Sequence, residues 1–131
     1  MPAVRSAYWD DLAEDLRDPA FLRAYITESL RVETIDRLVH ELDEAREALG
    51  LTKAQLARAI SAEPAVVRRL LSPGHRNPTI GTLAEVAAAL GLKVELVPMA
   101  DEERKRVSEP LRSGVSDDPA ELVRVVEAAR A

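Results

Sequence analysis

Residues 51–96 read LTKAQLARAISAEPAVVRRLLSPGHRNPTIGTLAEVAAALGLKVEL, and the spacing of apolar residues in this stretch decides the fold. Thr52 with Gln55 three residues on forms a capping box, which predicts a helix starting at Lys53. Leu56, Ala57 and Ile60 give that helix a small apolar face. A turn at Ser61 and Ala62 follows. Glu63-Pro64 then opens a second helix with proline at its first position, where no intrahelical N–H bond is lost. Val67, Leu70 and Leu71 point inward at helical spacing, which turns Ala65, Arg68 and Arg69 outward. Two short helices joined by a tight turn, the second with a basic outer face, have the dimensions that suit a DNA major groove.

Working outward, Thr79 after Pro78 begins a third helix with Leu83, Val86, Ala87 and Leu90 inside and Gly91 as its stop. Residues 93–97 (KVELV) alternate polar and apolar, predicting a short strand closed by Pro98. Such a strand needs a partner edge, either the same strand of a second subunit or an edge on a protein partner. Val94 and Leu96 are therefore the expected dimer contacts. Upstream, residues 8–17 predict a short helix, and Asp18-Pro19 restarts helix with Asp18 as its cap. Phe21, Leu22, Tyr25, Ile26 and Leu30, then Ile35, Leu38, Val39, Leu42, Ala45 and Leu49, keep helical spacing up to Gly50. One long helix and two helices broken near 32–34 fit this pattern equally well. Residues 98–118 are charged and rich in proline, serine and glycine, as expected of a flexible linker. Asp118-Pro119-Ala120-Glu121 caps a final helix with Leu122, Val125, Val126 and Ala129 on one face, too short to stand alone. The organisation read from this pattern is an N-terminal helical extension (1–34), a DNA-binding domain (35–97), a linker (98–118) and a C-terminal helix (119–131).

Composition narrows the function. Cysteine is absent, which excludes disulfides and thiolate metal sites and fits a reducing cytoplasm. No apolar run approaches the ~18–20 residues of a membrane span, and no signal-peptide pattern opens the chain, so a cytoplasmic protein without a membrane partner is expected. Net charge is −5, yet it is unevenly spread: residues 1–49 carry 6 basic and 12 acidic side chains, residues 50–97 carry 6 and 3, and residues 98–131 carry 6 and 8. Local charge governs attraction to phosphate, because screening limits reach to ~10 Å. His40 with Asp36 and Glu44 at i−4 and i+4 reads as a solvated helix face and not as a metal site. No catalytic set assembles, and neither enzyme activity, metal nor cofactor is expected.

The runs L-T-K-x-x-L-A-x-x-I, V-x-x-L-L and R-N-P-T-I-x-T-L-x-x-V-x-x-A-L-G-L resemble the Cro/CI-type (XRE) helix-turn-helix family, over roughly residues 35–97. More narrowly, the chain resembles antitoxins of HigA type, partners of RelE/HigB-like ribonuclease toxins in toxin–antitoxin systems. Three departures stand out: Ser61 replaces the usual turn glycine, Glu63 replaces the usual serine or threonine cap, and the loop 72–77 is one residue longer. The resemblance implies an all-α, lambda-repressor-like helix-turn-helix bundle, here with an N-terminal helical extension, a short C-terminal strand and a final helix. It further implies a homodimeric repressor that binds a double-stranded DNA operator and neutralises a small basic toxin while regulating its own operon. Open beside this stand a free-standing XRE-type regulator with no toxin, and an interaction module that has lost DNA binding.

The expected DNA contacts are Thr52 and Lys53 at the start of the first helix and Pro64, Ala65, Arg68, Arg69 and Ser72 along the second. His75, Arg76 and Asn77 in the loop join them. Arg68 and Arg69 suit guanine edges or phosphates, whereas Pro64 and Ala65 offer only apolar contact, to a thymine methyl for instance. All four aromatics, Tyr8, Trp9, Phe21 and Tyr25, fall within the first 25 residues among the acids. Aromatic anchors ringed by acids suit a basic protein partner, so these four are the expected toxin contacts. The alternative is that they pin the first helix to the second.

Overall fold

The computed structural model describes residues 2–72 and 77–130, with side chains described for 7–72 and 77–129. The described residues are helical and include no strand: α1 (Pro2–Asp15), α2 (Pro19–Ala48), α3 (Lys53–Ala59), α4 (Pro64–Leu71), α5 (Ile80–Ala89), α6 (Asp101–Glu103), a π-helical segment (Arg104–Ser108), α7 (Glu109–Ser113) and α8 (Pro119–Arg130). They group into two compact units, Thr34–Val97 and a second built from Met1–Glu33 with Pro98–Ala131.

In the Thr34–Val97 unit, Leu42 from α2, Leu56 and Ala57 from α3, Val67, Leu70 and Leu71 from α4, and Leu83, Val86, Ala87 and Leu90 at α5 form one buried cluster. Each set follows the helical period, so a single stripe per helix is removed from water. Ile60 packs half-buried at the edge of this cluster. α2 ends in a Schellman pattern, with Gly50 N–H bonded to Glu47 O at 3.0 Å and Leu51 N–H to Arg46 O at 3.2 Å.

α2 is one uninterrupted helix. It contains no glycine and only the proline at its first position, so the β-branched residues near 32–34 lower its propensity slightly without breaking it. Leu22 and Ile26, in its first half, join Leu16, Val107, Leu122 and Val123 in the core of the second unit. α1 begins earlier than residue 8, at Pro2.

Three expectations are corrected here. The strand at 93–97 is absent, and the segment is irregular. A strand exists only as part of a hydrogen-bonded ladder, and the described residues offer no partner edge. The second correction concerns 98–118, which is no linker, since 101–113 is helical and buries Val107 and Pro110. Pro110 explains the π turn before it: its ring would collide with the carbonyl four residues back, and it has no N–H to donate. The helix widens instead, and Glu109 N–H bonds to Arg104 O, five residues back. The third correction is to the apolar face of α8. It packs on α1 and buries Leu122 and Val123, leaving Val125 and Val126 half-buried and Ala129 exposed.

The end of α7 is clamped by a side chain distant in sequence. Arg23 Nε donates to Leu111 O at 2.9 Å and its Nη2 to Arg112 O at 3.2 Å, satisfying carbonyls that a helix end leaves open. The chain then turns at Gly114 with φ +80°, and a Cβ there would stand 3.0 Å from both Arg23 Nη2 and Pro19 Cβ. Gly114→Ala therefore combines left-handed strain with loss of the clamp, and thermal unfolding should show a loss of about 1–3 kcal/mol.

Candidate nucleic-acid interface

The capping box places the start of α3. Thr52 Oγ1 accepts from Gln55 N–H at 3.0 Å, and Gln55 Oε1 accepts from Thr52 N–H at 2.8 Å. This reciprocal pair fixes the direction in which α3 leaves the preceding turn and sets Lys53, half-buried, at its first position.

The turn from α3 to α4 closes by the same pattern that ends α2. Ser61 N–H bonds to Arg58 O at 3.1 Å and Ala62 N–H to Ala57 O at 2.9 Å. The residue at the reversal must be left-handed, and Ser61 takes φ +55°, the sole non-glycine with positive φ among the described residues. The serine that replaces glycine here thus adopts glycine's conformation under strain. Glu63 then caps α4 without a side-chain hydrogen bond. A glutamate is one methylene too long for the cap geometry that serine, threonine or aspartate supplies. Its carboxylate is left exposed at the entrance to the helix.

α4 turns Val67, Leu70 and Leu71 into the core and leaves Arg68 and Arg69 exposed, with Pro64 and Ala65 half-buried in its first turn. Ser72 Oγ donates to Arg68 O, so its hydroxyl closes the last turn of α4. Asn77 is exposed just before Thr79, whose Oγ1 accepts from Thr82 N–H at 3.1 Å and caps α5. His75 and Arg76 lie outside the described residues. The described contacts expected from the sequence thus come from the start of α3, the outer side of α4 and the entry to α5, all within one compact unit.

Among the described residues five arginines are ion-paired, whereas the cations of α3 and α4, like Arg23, Arg37, Lys93, Lys105, Arg106 and Arg112, make no ion pair. Arg17 pairs with Glu14, Arg31 with Glu28, Arg46 with Asp43, Arg104 with Asp101 and Arg124 with Glu121, each to the acid three residues before it. Lys53, Arg58, Arg68 and Arg69 have Gly50, Gln55, Ala65 and Val66 at that position, and none makes an ion pair among the described residues. Arg58 is a basic group that helix periodicity alone did not single out. It is exposed on the last turn of α3.

Of the four aromatics, Tyr8 (60% exposed), Trp9 and Phe21 face solvent. Tyr25 instead packs against the core of the second unit. Asp10, Asp11, Glu14 and Asp15 are exposed along α1 beside Tyr8 and Trp9. Val94 and Leu96 are exposed in the irregular segment after α5. His40 stands on an exposed face of α2, its Nε2 2.7 Å from Glu44 Oε2. Among the described residues no three carboxylate or imidazole side chains converge as metal ligands, and no helix is long and apolar enough to cross a membrane.

Residues 42–97 match the helix-turn-helix family, from the last turns of α2 through α5 to Val97. This segment is similar to helix-turn-helix domains of the Cro/CI (XRE) type. No curated protein and no solved structure matches the chain.

The turn strain is measurable. Ser61→Gly removes the left-handed penalty of a side chain but loosens the unfolded chain, so the net gain should be about 0.5–1 kcal/mol by chemical denaturation. A loss of stability would show that the serine side chain contributes more than its strain removes.

Proposed function

We propose that the chain is a transcription repressor that binds a double-stranded DNA operator as a homodimer. The observation that carries this reading is the match of residues 42–97 to the helix-turn-helix family, together with Arg68 and Arg69 exposed on the outer side of α4 and unpaired among the described residues. Charges that face outward without a protein partner are open to phosphates. In this reading Arg68 reads a guanine edge, and Arg69, Arg58 and Lys53 hold the backbone. Thr52, Ser72, His75, Arg76 and Asn77 flank them, and Pro64 and Ala65 contact apolar base surface. The homodimer holds two α4 helices about 34 Å apart, one turn of DNA.

A second reading adds a protein partner. Tyr8, Trp9 and Phe21 are exposed beside a row of carboxylates, an arrangement that suits a small basic protein such as a RelE/HigB-like ribonuclease toxin, which the chain would neutralise while repressing its own operon. Tyr25 supports that surface from beneath and is not an anchor. With no toxin, the same DNA chemistry describes a free-standing regulator.

Arg68→Glu should lower affinity for DNA upstream of its own gene by at least the ~1–3 kcal/mol of one bidentate base contact, with phosphate repulsion added. Its circular dichroism should stay unchanged, because the side chain is exposed and unpaired. Lys53→Gln should lower the salt dependence of binding by about one phosphate contact. Wild-type affinity for Arg68→Glu would remove Arg68 from the interface, and no salt-dependent shift with the wild type would overturn the DNA reading itself. For the second reading, a variant carrying Tyr8→Ser, Trp9→Ser and Phe21→Ser should bind DNA normally yet fail to protect cells expressing a small basic protein encoded beside it. Full protection would rule out this docking surface.

A further inference from the structure

We propose that Glu63 sets part of the operator sequence, its carboxylate accepting a hydrogen bond from the N4 amino group of a cytosine in the major groove. This rests on the operator-binding part of the proposed function and adds a residue that decides which sequence is bound.

The placement of the carboxylate is the first support. Glu63 is the N-cap of α4, with φ −68° and ψ 142°, and its side chain makes no cap hydrogen bond. It is exposed and makes no ion pair among the described residues, although Arg68 and Arg69 follow on the same helix. Val66 N–H bonds to Glu63 O at 2.9 Å, which ties the residue to the first turn of α4. The N-terminal end of a recognition helix is the part that meets base edges. From Ala62 to Val66 the chain reads Ala-Glu-Pro-Ala-Val, so Glu63 is the one side chain there with a hydrogen-bonding atom.

The chemistry of the group is the second support. A carboxylate accepts hydrogen bonds and donates none. In the major groove guanine shows the acceptors N7 and O6, thymine shows the acceptor O4 beside a methyl group, and adenine sets its N6 amino group beside the acceptor N7. Cytosine alone presents a donor with no acceptor on the same base. Facing guanine or thymine, the carboxylate loses water and finds no donor in return. Facing cytosine, it gains a charge-assisted bond. Phosphates repel it in every sequence, so an acid at this place weakens binding to DNA at large and is offset only where the donor stands. Glu63 and Arg68 therefore discriminate in opposite senses along one helix, the carboxylate demanding a donor and the guanidinium acceptors.

Selection of bound duplexes from a randomised pool, with the full chain, tests this role. Wild type should demand cytosine at one position of the selected site. Glu63→Gln should turn that position to adenine, whose N6 and N7 match a carboxamide, and Glu63→Ala should leave it undetermined, with the other positions unchanged. N4-methylcytosine placed there in the selected duplex carries a methyl group where the groove-facing hydrogen stood. It should weaken binding of wild type about fivefold to a hundredfold and leave Glu63→Ala unaffected. The charge of Glu63 also complements the positive end of the α4 dipole, but that stabilisation moves affinity for all sequences alike and not the preferred base. The same preference in wild type and both variants, a wild-type preference for a base other than cytosine at the position that responds to Glu63, or wild-type indifference to the methyl group overturns the role of Glu63 and leaves operator binding standing. A wild type that retains no duplex overturns operator binding and this role together.

Discussion

The angle between α3 and α4 is set by two backbone hydrogen bonds, Ser61 N–H to Arg58 O and Ala62 N–H to Ala57 O, and the placement of α4 depends on that closure. Both bonds require a left-handed residue at the reversal, and the chain supplies a serine there with φ +55°. The strain is held because the helices on either side are anchored by Leu56, Ala57, Val67 and Leu70 in one core. With those contacts in place, Arg68 and Arg69 have no inward alternative, and their charges face solvent as a fixed pair. The local conformation is thus imposed by packing on both sides of it.

Ion pairing in this chain is local. Arg17, Arg31, Arg46, Arg104 and Arg124 each lie one helical turn after the acid they pair with. The exposed pairs among them add only a few tenths of a kcal/mol each, but they neutralise the surface. Across α3 and α4 the preceding acid is missing, so four cations remain uncompensated among the described residues. Glu63 stands apart from this pattern as an exposed carboxylate at the start of α4.

The second unit solves a different problem. Residues from both ends of the chain share one core, in which Leu16, Leu22 and Ile26 meet Val107, Leu122 and Val123. The proline that would break a regular helix at 110 is absorbed by a π turn, and the helix end beyond it is clamped by Arg23. This leaves α1 free to display Tyr8 and Trp9 with their neighbouring acids.

The sequence by itself determined α3, α4 and α5, their caps and their buried stripes, because helical period and capping act over three or four residues and are written in adjacent letters. It also marked Arg68 and Arg69 as outward-facing, since Val67, Leu70 and Leu71 leave them no other side. Tertiary structure decided what depends on distant partners. Composition made 98–118 look like a linker, yet burial of Val107 against Leu22 and Ile26, some eighty positions away, keeps 101–113 helical. Val123 replaced part of the expected face of α8 for the same reason: a short helix is rotated to suit the surface it docks on. The alternation at 93–97 was legible but insufficient, since a strand is a property of two edges and one chain presents a single edge.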